Sequence, residues 1–380
     1  MTSPTTTNGP AAPNAAPAAD PDATAAANAD PSAATVLTGP ADLDQGIRDD
    51  PAAHRVLTGD RPTGPLHLGH YFGSLRNRVH LQRLGVEMFL VIPDYQVITD
   101  RDLADHLAEH TENLVVDYLA TGIDADRATI FTHSSVPALN QLLLPFLSLV
   151  SVAELHRNPT VKDEIAHSSQ AAVNGLMLTY PVHQAADILF CKADLVPVGK
   201  DQLPHLEIAR TVARRFNERY PHPDGTTVFP RPRALLSAAP LLLGTDGGKM
   251  SKSRGNSVPL AADEDTTARL LKGARTDTER RIGYDPVGRP EVSNLLLLAG
   301  LCQDRAPEEI AEEIGDGGAA ALKRTVTEAV NEHLRPIRAR RAELAADRGH
   351  IRQVLRTGSE RANAIADATL TEVRAVMGSL

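Results

Sequence analysis

The hydrophobic pattern divides the chain into three stretches. Residues 1–35 hold Ala, Pro, Thr, Asn and Asp with almost no large apolar side chain. Such a segment buries too little surface to offset its ordering entropy, so it is expected to be disordered. Residues 36–52 follow as a linker or loosely packed lead-in. Apolar runs then begin. Arg55-Val56-Leu57-Thr58 reads as a short strand, and Gly59 to Pro65 as a loop of turn residues. Leu66 to Tyr71 leads into a helix that ends near Leu84, where Gly85 stops it. Met88–Ile92 is a continuous apolar run, as for a strand buried on both faces. A helix over about 101–121 and a strand at Ala128–Thr132 come next. This alternation predicts a parallel sheet with helices on both faces.

Residues 136–156 are very apolar and helical, and 157–169 are polar and loop-like. Met177 to Cys191 reads as a buried helix that carries Asp187. Leu195–Val198 is strand-like, with Pro197 pointing to a strand end or sheet edge because it removes a ladder donor. A helix follows from about Leu203 to Asn217. From about residue 262 the period is helical throughout, with helices near 262–273, 291–302, 307–314, 318–345, 350–356 and 358–378. The predicted organisation is a tail and linker over 1–52, an α/β catalytic domain over 53–260, and an all-α domain over 261–380.

Composition narrows the class. Hydrophobic content of 42% is ordinary for a globular protein. No apolar run approaches a membrane span, no secretory or transit signal opens the chain, and the two cysteines form no CxxC pair. A cytoplasmic protein without a membrane partner is expected. The formal charge of −9 is uneven. Residues 1–50 contain seven Asp and one Arg and so account for −6 of it, leaving the rest nearly neutral. Basic residues cluster instead in the C-terminal stretch: Lys272, Arg275, Arg280 and Arg281, then Lys323 and Arg324, then Arg335, Arg338, Arg340 and Arg341. Each cluster fits a solvated face equally well as a nucleic-acid contact.

Two short motifs carry chemistry. Gly247-Gly248-Lys249-Met250-Ser251-Lys252-Ser253-Arg254-Gly255-Asn256 is a loop of glycines, hydroxyls and ammonium groups. The chain has seven lysines against 32 arginines, and two of the seven lie here, which marks the loop for polyphosphate handling. His67-Leu68-Gly69-His70 sits where the first strand turns into a helix, the usual docking place for phosphates in a doubly wound sheet. Gly69 lets a base or ribose lie on the backbone. The two imidazoles offer N–H donors to charge on a phosphoryl group. As zinc ligands they lack a third ligand motif nearby, and no structural metal is expected.

Together these motifs resemble the HIGH and KMSKS signatures of class I aminoacyl-tRNA synthetases. The resemblance implies a Rossmann-like parallel sheet followed by a helical domain that contributes to anticodon recognition. It also implies that His67, His70, Lys249 and Lys252 are catalytic. Tyr180-Pro181-Val182-His183-Gln184-Ala185-Ala186-Asp187, Gly199-Lys200-Asp201-Gln202 and Gly59-Asp60-Arg61-Pro62-Thr63-Gly64 resemble the tryptophan-specific members. By that resemblance Arg61, Pro62, Thr63, Gly69, His70, Gly199, Lys200, Asp201, Lys249, Met250, Ser251, Lys252 and Ser253 bind ATP, delivered with Mg²⁺. Asp187, Tyr180, Gln96, Gln202 and Gly59 bind tryptophan. An acid in an apolar helix needs a partner, and the family's matching acid accepts from the indole N–H. tRNA(Trp), L-tryptophan and a second copy of the chain are the implied partners.

The chain departs from many bacterial members at Arg61, Gln96, Gln184, Lys200 and His70, which resembles a divergent second bacterial type. Reduced sensitivity to tryptophan-mimicking inhibitors, through Gln96 and Gln184, is the expected consequence. Three rival readings remain open at this point. They are a tyrosine-specific synthetase, a synthetase-like paralogue acting in binding or regulation, and a nucleotidyltransferase sharing only the first motif.

Overall fold

The structure is a computed structural model that describes residues 37–38, 41–97, 106–162, 174–199, 202–237, 241–252 and 254–379. The expected disorder of residues 1–35, and Lys200, Asp201 and Ser253, lie outside the described residues.

Six strands form one sheet in the order β1-β6-β5-β2-β3-β4. They are β1 (Leu37–Thr38), β2 (Arg55–Gly59), β3 (Glu87–Ile92), β4 (Ala128–Thr132), β5 (Leu195–Val198) and β6 (Arg233–Ser237). β2 to β6 are parallel, and β1 runs antiparallel to β6. The lead-in before residue 53 is thus no plain linker: β1 extends the sheet and α1 (Ala41–Asp49) buries Ile47. Neither β1 nor β6 is expected from the sequence: β1 has only two residues, and the apolar run of β6, Ala234-Leu235-Leu236, lies among Pro230, Pro232 and Pro240, which read as loop.

Chain direction reverses its march between β2 and β5. From β2 the sheet grows outward through β3 and β4, then returns to place β5 on the other side of β2. β2 and β5 share one register pair, Val56–Leu195. Pro197 lies in an interior strand of the sheet, not at its edge, but one residue from the end of β5. A missing N–H is tolerated there. The strand order therefore switches direction between β2 and β5, and open α/β sheets bind ligands outside the carboxyl ends of the strands at such a point.

Helices cover both faces. α2 is continuous through Leu68–His70, a π-helical turn at Tyr71–Leu75, and Arg76–Leu84, and Gly85 ends it in the left-handed region at φ 100°. α3 (Asp94–Val97) and α4 (Leu107–Ala120) follow β3. The apolar 136–156 stretch is broken into α5 (Pro137–Gln141), α6 (Leu143–Leu147) and α7 (Val152–Arg157). α8 (Gly175–Leu189) and α9 (Leu203–Arg219) flank β5 in sequence.

The C-terminal helices are α10 (Glu264–Lys272), α11 (Pro290–Gln303), α12 (Pro307–Ile314), α13 (Gly318–Ala346) and α14 (Arg348–Met377). The two helices expected at 350–356 and 358–378 are one. Gly358 does not break α14. A Cβ on it would lie 1.9 Å from the Ile130 carbonyl oxygen of β4, so glycine permits the helix backbone to touch the strand. Ile351 and Val354 pack into the core on one face of the sheet, and Ala362, Ala366 and Leu370 into the core on the other. α14 therefore crosses the outer edge of the sheet at Gly358. The helical segment is fastened to the α/β unit along this line.

Candidate active site

β2 ends at Gly59 with no room for a side chain, since a Cβ there would meet the Val91 carbonyl oxygen at 1.9 Å. Asp60 follows and is held below the sheet end. Arg78 Nη1 donates to Asp60 Oδ2 at 2.6 Å and Tyr118 Oη donates to the same oxygen at 2.8 Å. Burial raises the Asp60 pKa, but Arg78 and then His70 outweigh it and hold the carboxyl down to about 2.

The loop continues into His67, which caps α2. Gly69 N donates to His67 Nδ1 at 3.1 Å, and His67 N donates to His70 Nδ1 at 3.3 Å. A backbone N–H can only donate, so both Nδ1 atoms are acceptors and each neutral ring carries its proton on Nε2. Burial is the main cause that lowers His67 to about 3 and His70 to about 4, with Lys252 adding to both. Two neutral imidazoles, 3.8 Å apart at their centroids, therefore present Nε2–H donors at neutral pH. Gly69 sits between them and the Met250 sulfur, which a Cβ would approach to 3.5 Å.

The second motif is bound to the first through backbone. Leu68 N donates to Val258 O at 3.0 Å and Leu260 N to Leu66 O at 2.9 Å. Lys252 Nζ then reaches back to Gly64 O at 2.8 Å, beside Thr63 Oγ1 at 3.5 Å. Burial lowers its pKa. Pro62 is buried, while Arg61 and Lys249 are exposed at the rim. The loop is shaped by a residue whose role the sequence did not reveal. Asn256 is buried; its Oδ1 accepts from Ser251 N at 2.8 Å, and its Nδ2 donates to Asp246 Oδ1 at 2.7 Å and Lys249 O at 3.1 Å.

α8 lines the other side. Tyr180, His183, Gln184 and Asp187 fall at i, i+3, i+4 and i+7, so they share one helix face. Tyr180 Oη meets His205 Nε2 of α9 at 3.1 Å. Asp187 lies 2.8 Å from Nε2 of His133, which follows β4. Neither His133 nor His205 was singled out by spacing, because each is brought in by another element. Gln96 lies on α3, and Gln202 precedes α9, with its N–H donating to Gly199 O at 3.0 Å.

The basic clusters divide. Arg341 ion-pairs with buried Asp117 at 2.7 Å, and Asp117 accepts from Leu66 N at 3.1 Å, which steadies the loop before His67. Arg338 Nη2 donates to Thr267 Oγ1 at 2.8 Å. These two arginines are structural. Lys272, Arg275, Arg280, Arg281, Arg324, Arg335 and Arg340 remain exposed.

Comparison with known proteins follows the same lines. Residues 50–335 match the family described as tRNA synthetases class I (W and Y). The tryptophan–tRNA ligase of Treponema pallidum (strain Nichols) is 42% identical over 333 residues, covering 85% of this chain and 96% of that protein. That of Streptococcus pyogenes serotype M1 is 41% identical over 336 residues, covering 85% and 97%. A crystal structure of tryptophanyl-tRNA synthetase from Campylobacter jejuni, complexed with ADP and tryptophan, superposes with a TM-score of 0.75 at 28% identity, over 85% of this chain and 99% of that one.

Proposed function

The chain belongs to the class I tRNA synthetases of the tryptophan and tyrosine group, and from that premise we propose that it is a tryptophan–tRNA ligase. It activates L-tryptophan with Mg²⁺-bound ATP to tryptophanyl-adenylate and transfers the aminoacyl group to the 3′ end of tRNA(Trp). The observation that carries this reading is the joining of the two motifs beyond the carboxyl end of β2. The Leu66–Leu68 and Val258–Leu260 backbones are paired, and Lys252 closes onto Gly64. Lys252 acts electrostatically on both His67 and His70, so a cation and two neutral N–H donors share one neighbourhood. That arrangement suits in-line attack of a carboxylate on the α-phosphate with departure of pyrophosphate, where charge stabilisation and positioning supply most of the catalysis.

His67, His70, Lys249 and Lys252 are assigned as catalytic. The rest of the ATP site is assigned to Arg61, Pro62, Thr63, Gly69, Gly199, Lys200, Asp201, Met250, Ser251 and Ser253. Tyr180, Gln96, Gln202 and Gly59 hold the amino acid, and Asp187 accepts the indole N–H. A buried carboxylate left unpaired by a phenyl ring would reject phenylalanine strongly. The curated relatives cited above favour tryptophan over tyrosine. The exposed arginines of 261–380 serve tRNA phosphates, and exposed Leu144 and Val152 on α6 and α7 support a homodimer. Its action is assigned to the cytoplasm, where charged tRNA serves translation; among the described residues no helix is long and apolar enough to cross a membrane.

The test is amino-acid-dependent exchange of pyrophosphate into ATP. Exchange is expected with tryptophan. Exchange with tyrosine and none with tryptophan would overturn the assignment. Lys252→Ala should slow exchange by about a hundredfold while tryptophan binding, read from the ligand's own fluorescence in a chain without Trp, stays unchanged.

A further inference from the structure

His133, His183 and Asp187 meet in the core with ligand atoms all within 4.8 Å of one another. They are 0%, 3% and 2% exposed. Asn140 fixes the state of His183. Its Nδ2 donates to the carbonyl oxygens of His133 at 2.8 Å and Val136 at 3.1 Å, so its Oδ1 is the atom that faces His183 Nε2 at 2.8 Å. An amide oxygen only accepts. The proton of His183 therefore sits on Nε2, and Nδ1 holds a lone pair. Among the described residues that Nδ1 has no hydrogen-bond partner, nor has either ring nitrogen of His133, nor Asp187 Oδ1. Buried polar atoms without partners are rare and call for a physical reason.

The contact between His133 and Asp187 supplies one. Nε2 and Oδ1 stand 2.8 Å apart, yet not in the geometry of an N–H···O bond. Two groups that aim at a shared third point approach each other in this way. Bonds of about 2.0–2.2 Å to a tetrahedral ion set its ligand atoms about 3–3.5 Å apart, within the range that small side-chain rotations reach here. The His183–Asn140 bond is also the second contact that metal-bound histidines make, fixing tautomer and ring orientation.

We propose that His133, His183 and Asp187 form a three-ligand site for a borderline divalent cation, Zn²⁺ above all, with a fourth position left for water or a substrate group. Asp187 is also the carboxylate assigned to the indole N–H. Resting on that reading, cation and tryptophan exclude each other, so the metal ion acts as a competitive brake on activation.

The test takes the full-length protein, stripped with chelator, and titrates it with ZnCl₂ by calorimetry and with Co²⁺ by its visible bands. One ion per chain and the intense bands of a four-coordinate site are expected. Both should vanish in His133→Gln and His183→Gln, with folding checked by circular dichroism. Both should persist in His110→Ala, which removes the surface His106–His110 pair, whose rings lie 6.0 Å apart. With Zn²⁺ at tenfold its own Kd, the apparent Kd for tryptophan should rise about tenfold. No uptake, binding that survives both Gln variants, binding lost in His110→Ala, or weak octahedral Co²⁺ bands in the wild type would each overturn the site. The last of these needs no variant to fold. Zn²⁺ uptake with no effect on tryptophan supports the site and removes Asp187 from indole recognition. Tryptophan binding lost in Asp187→Asn, with no Zn²⁺ uptake by the wild type, rejects the site and keeps the substrate reading.

Discussion

Replacing Asp60 by Asn tests the charge pair beneath the first motif. Arg78 has a side chain only 3% exposed, and its partner lies 2.6 Å away, with Tyr118 Oη on the same carboxylate oxygen. Asn keeps the shape and one acceptor but leaves a guanidinium buried without a counter-charge. Breaking such a pair from one side costs about 3–5 kcal/mol; the retained amide acceptor sets the expectation near the lower end, about 3 kcal/mol. Asp60→Asn combined with Arg78→Met removes both charges. That pair should recover about 2 kcal/mol relative to the sum of the single substitutions, a coupling within the range for contacting residues. Urea denaturation followed by far-ultraviolet circular dichroism measures all three variants, read as a midpoint change at constant slope. The Asp60 carboxyl, held to about 2 by Arg78 and His70 against burial, has a depressed folded-state pKa. Its stabilisation is therefore present above about pH 4 and lost as pH falls through about 2. A cost below about 1 kcal/mol for Asp60→Asn, or strict additivity in the double variant, would refute the reasoning.

Three other outcomes are expected. Gly358→Ala, which on an exposed helix would gain about 1 kcal/mol, should instead destabilise by about 2–3 kcal/mol, because the new methyl meets the Ile130 carbonyl at 1.9 Å; thermal denaturation gives the sign. Asn256→Ala removes three hydrogen bonds from the second motif and should raise the KM for ATP in pyrophosphate exchange while leaving tryptophan affinity unchanged. His67 and His70 have folded-state pKa values near 3 and 4 against 6.5 when unfolded. Their stabilisation is complete above about pH 6.5 and declines as pH falls below it, by at most about 1.4 kcal/mol per pH unit for each ring; His70→Asn should flatten that part of the stability–pH curve.

Much of the α/β unit was legible because its strands are continuous apolar runs and its turns carry glycine. The same local logic failed at Gly358, where spacing signals a break but contact with β4 demands a glycine inside an unbroken helix. It failed again along Arg335–Arg341, where a run of like charges gives no clue that Arg341 and Arg338 point inward. The two motifs were readable since each is contiguous in sequence. Asp60–Arg78–Tyr118 and His133–Asp187 were not, because their members lie on different elements and only the fold sets them side by side. His183 stood in plain view beside Asp187, but its lone pair depends on Asn140, 43 positions upstream.

The path of α14 over the sheet edge bears on biosynthesis. β4 is complete at Thr132, but the helix that seals its outer side ends at Met377, 245 residues later. At about 5–20 residues per second, the ribosome leaves that strand uncovered for about 10–50 s. An open parallel edge is a template for pairing with other nascent chains. Premature termination after Asn256 but before α14 yields a polypeptide holding both signature motifs yet prone to stick to its neighbours. Such truncated products are expected in the insoluble fraction, or held by chaperones, and not as small active enzymes.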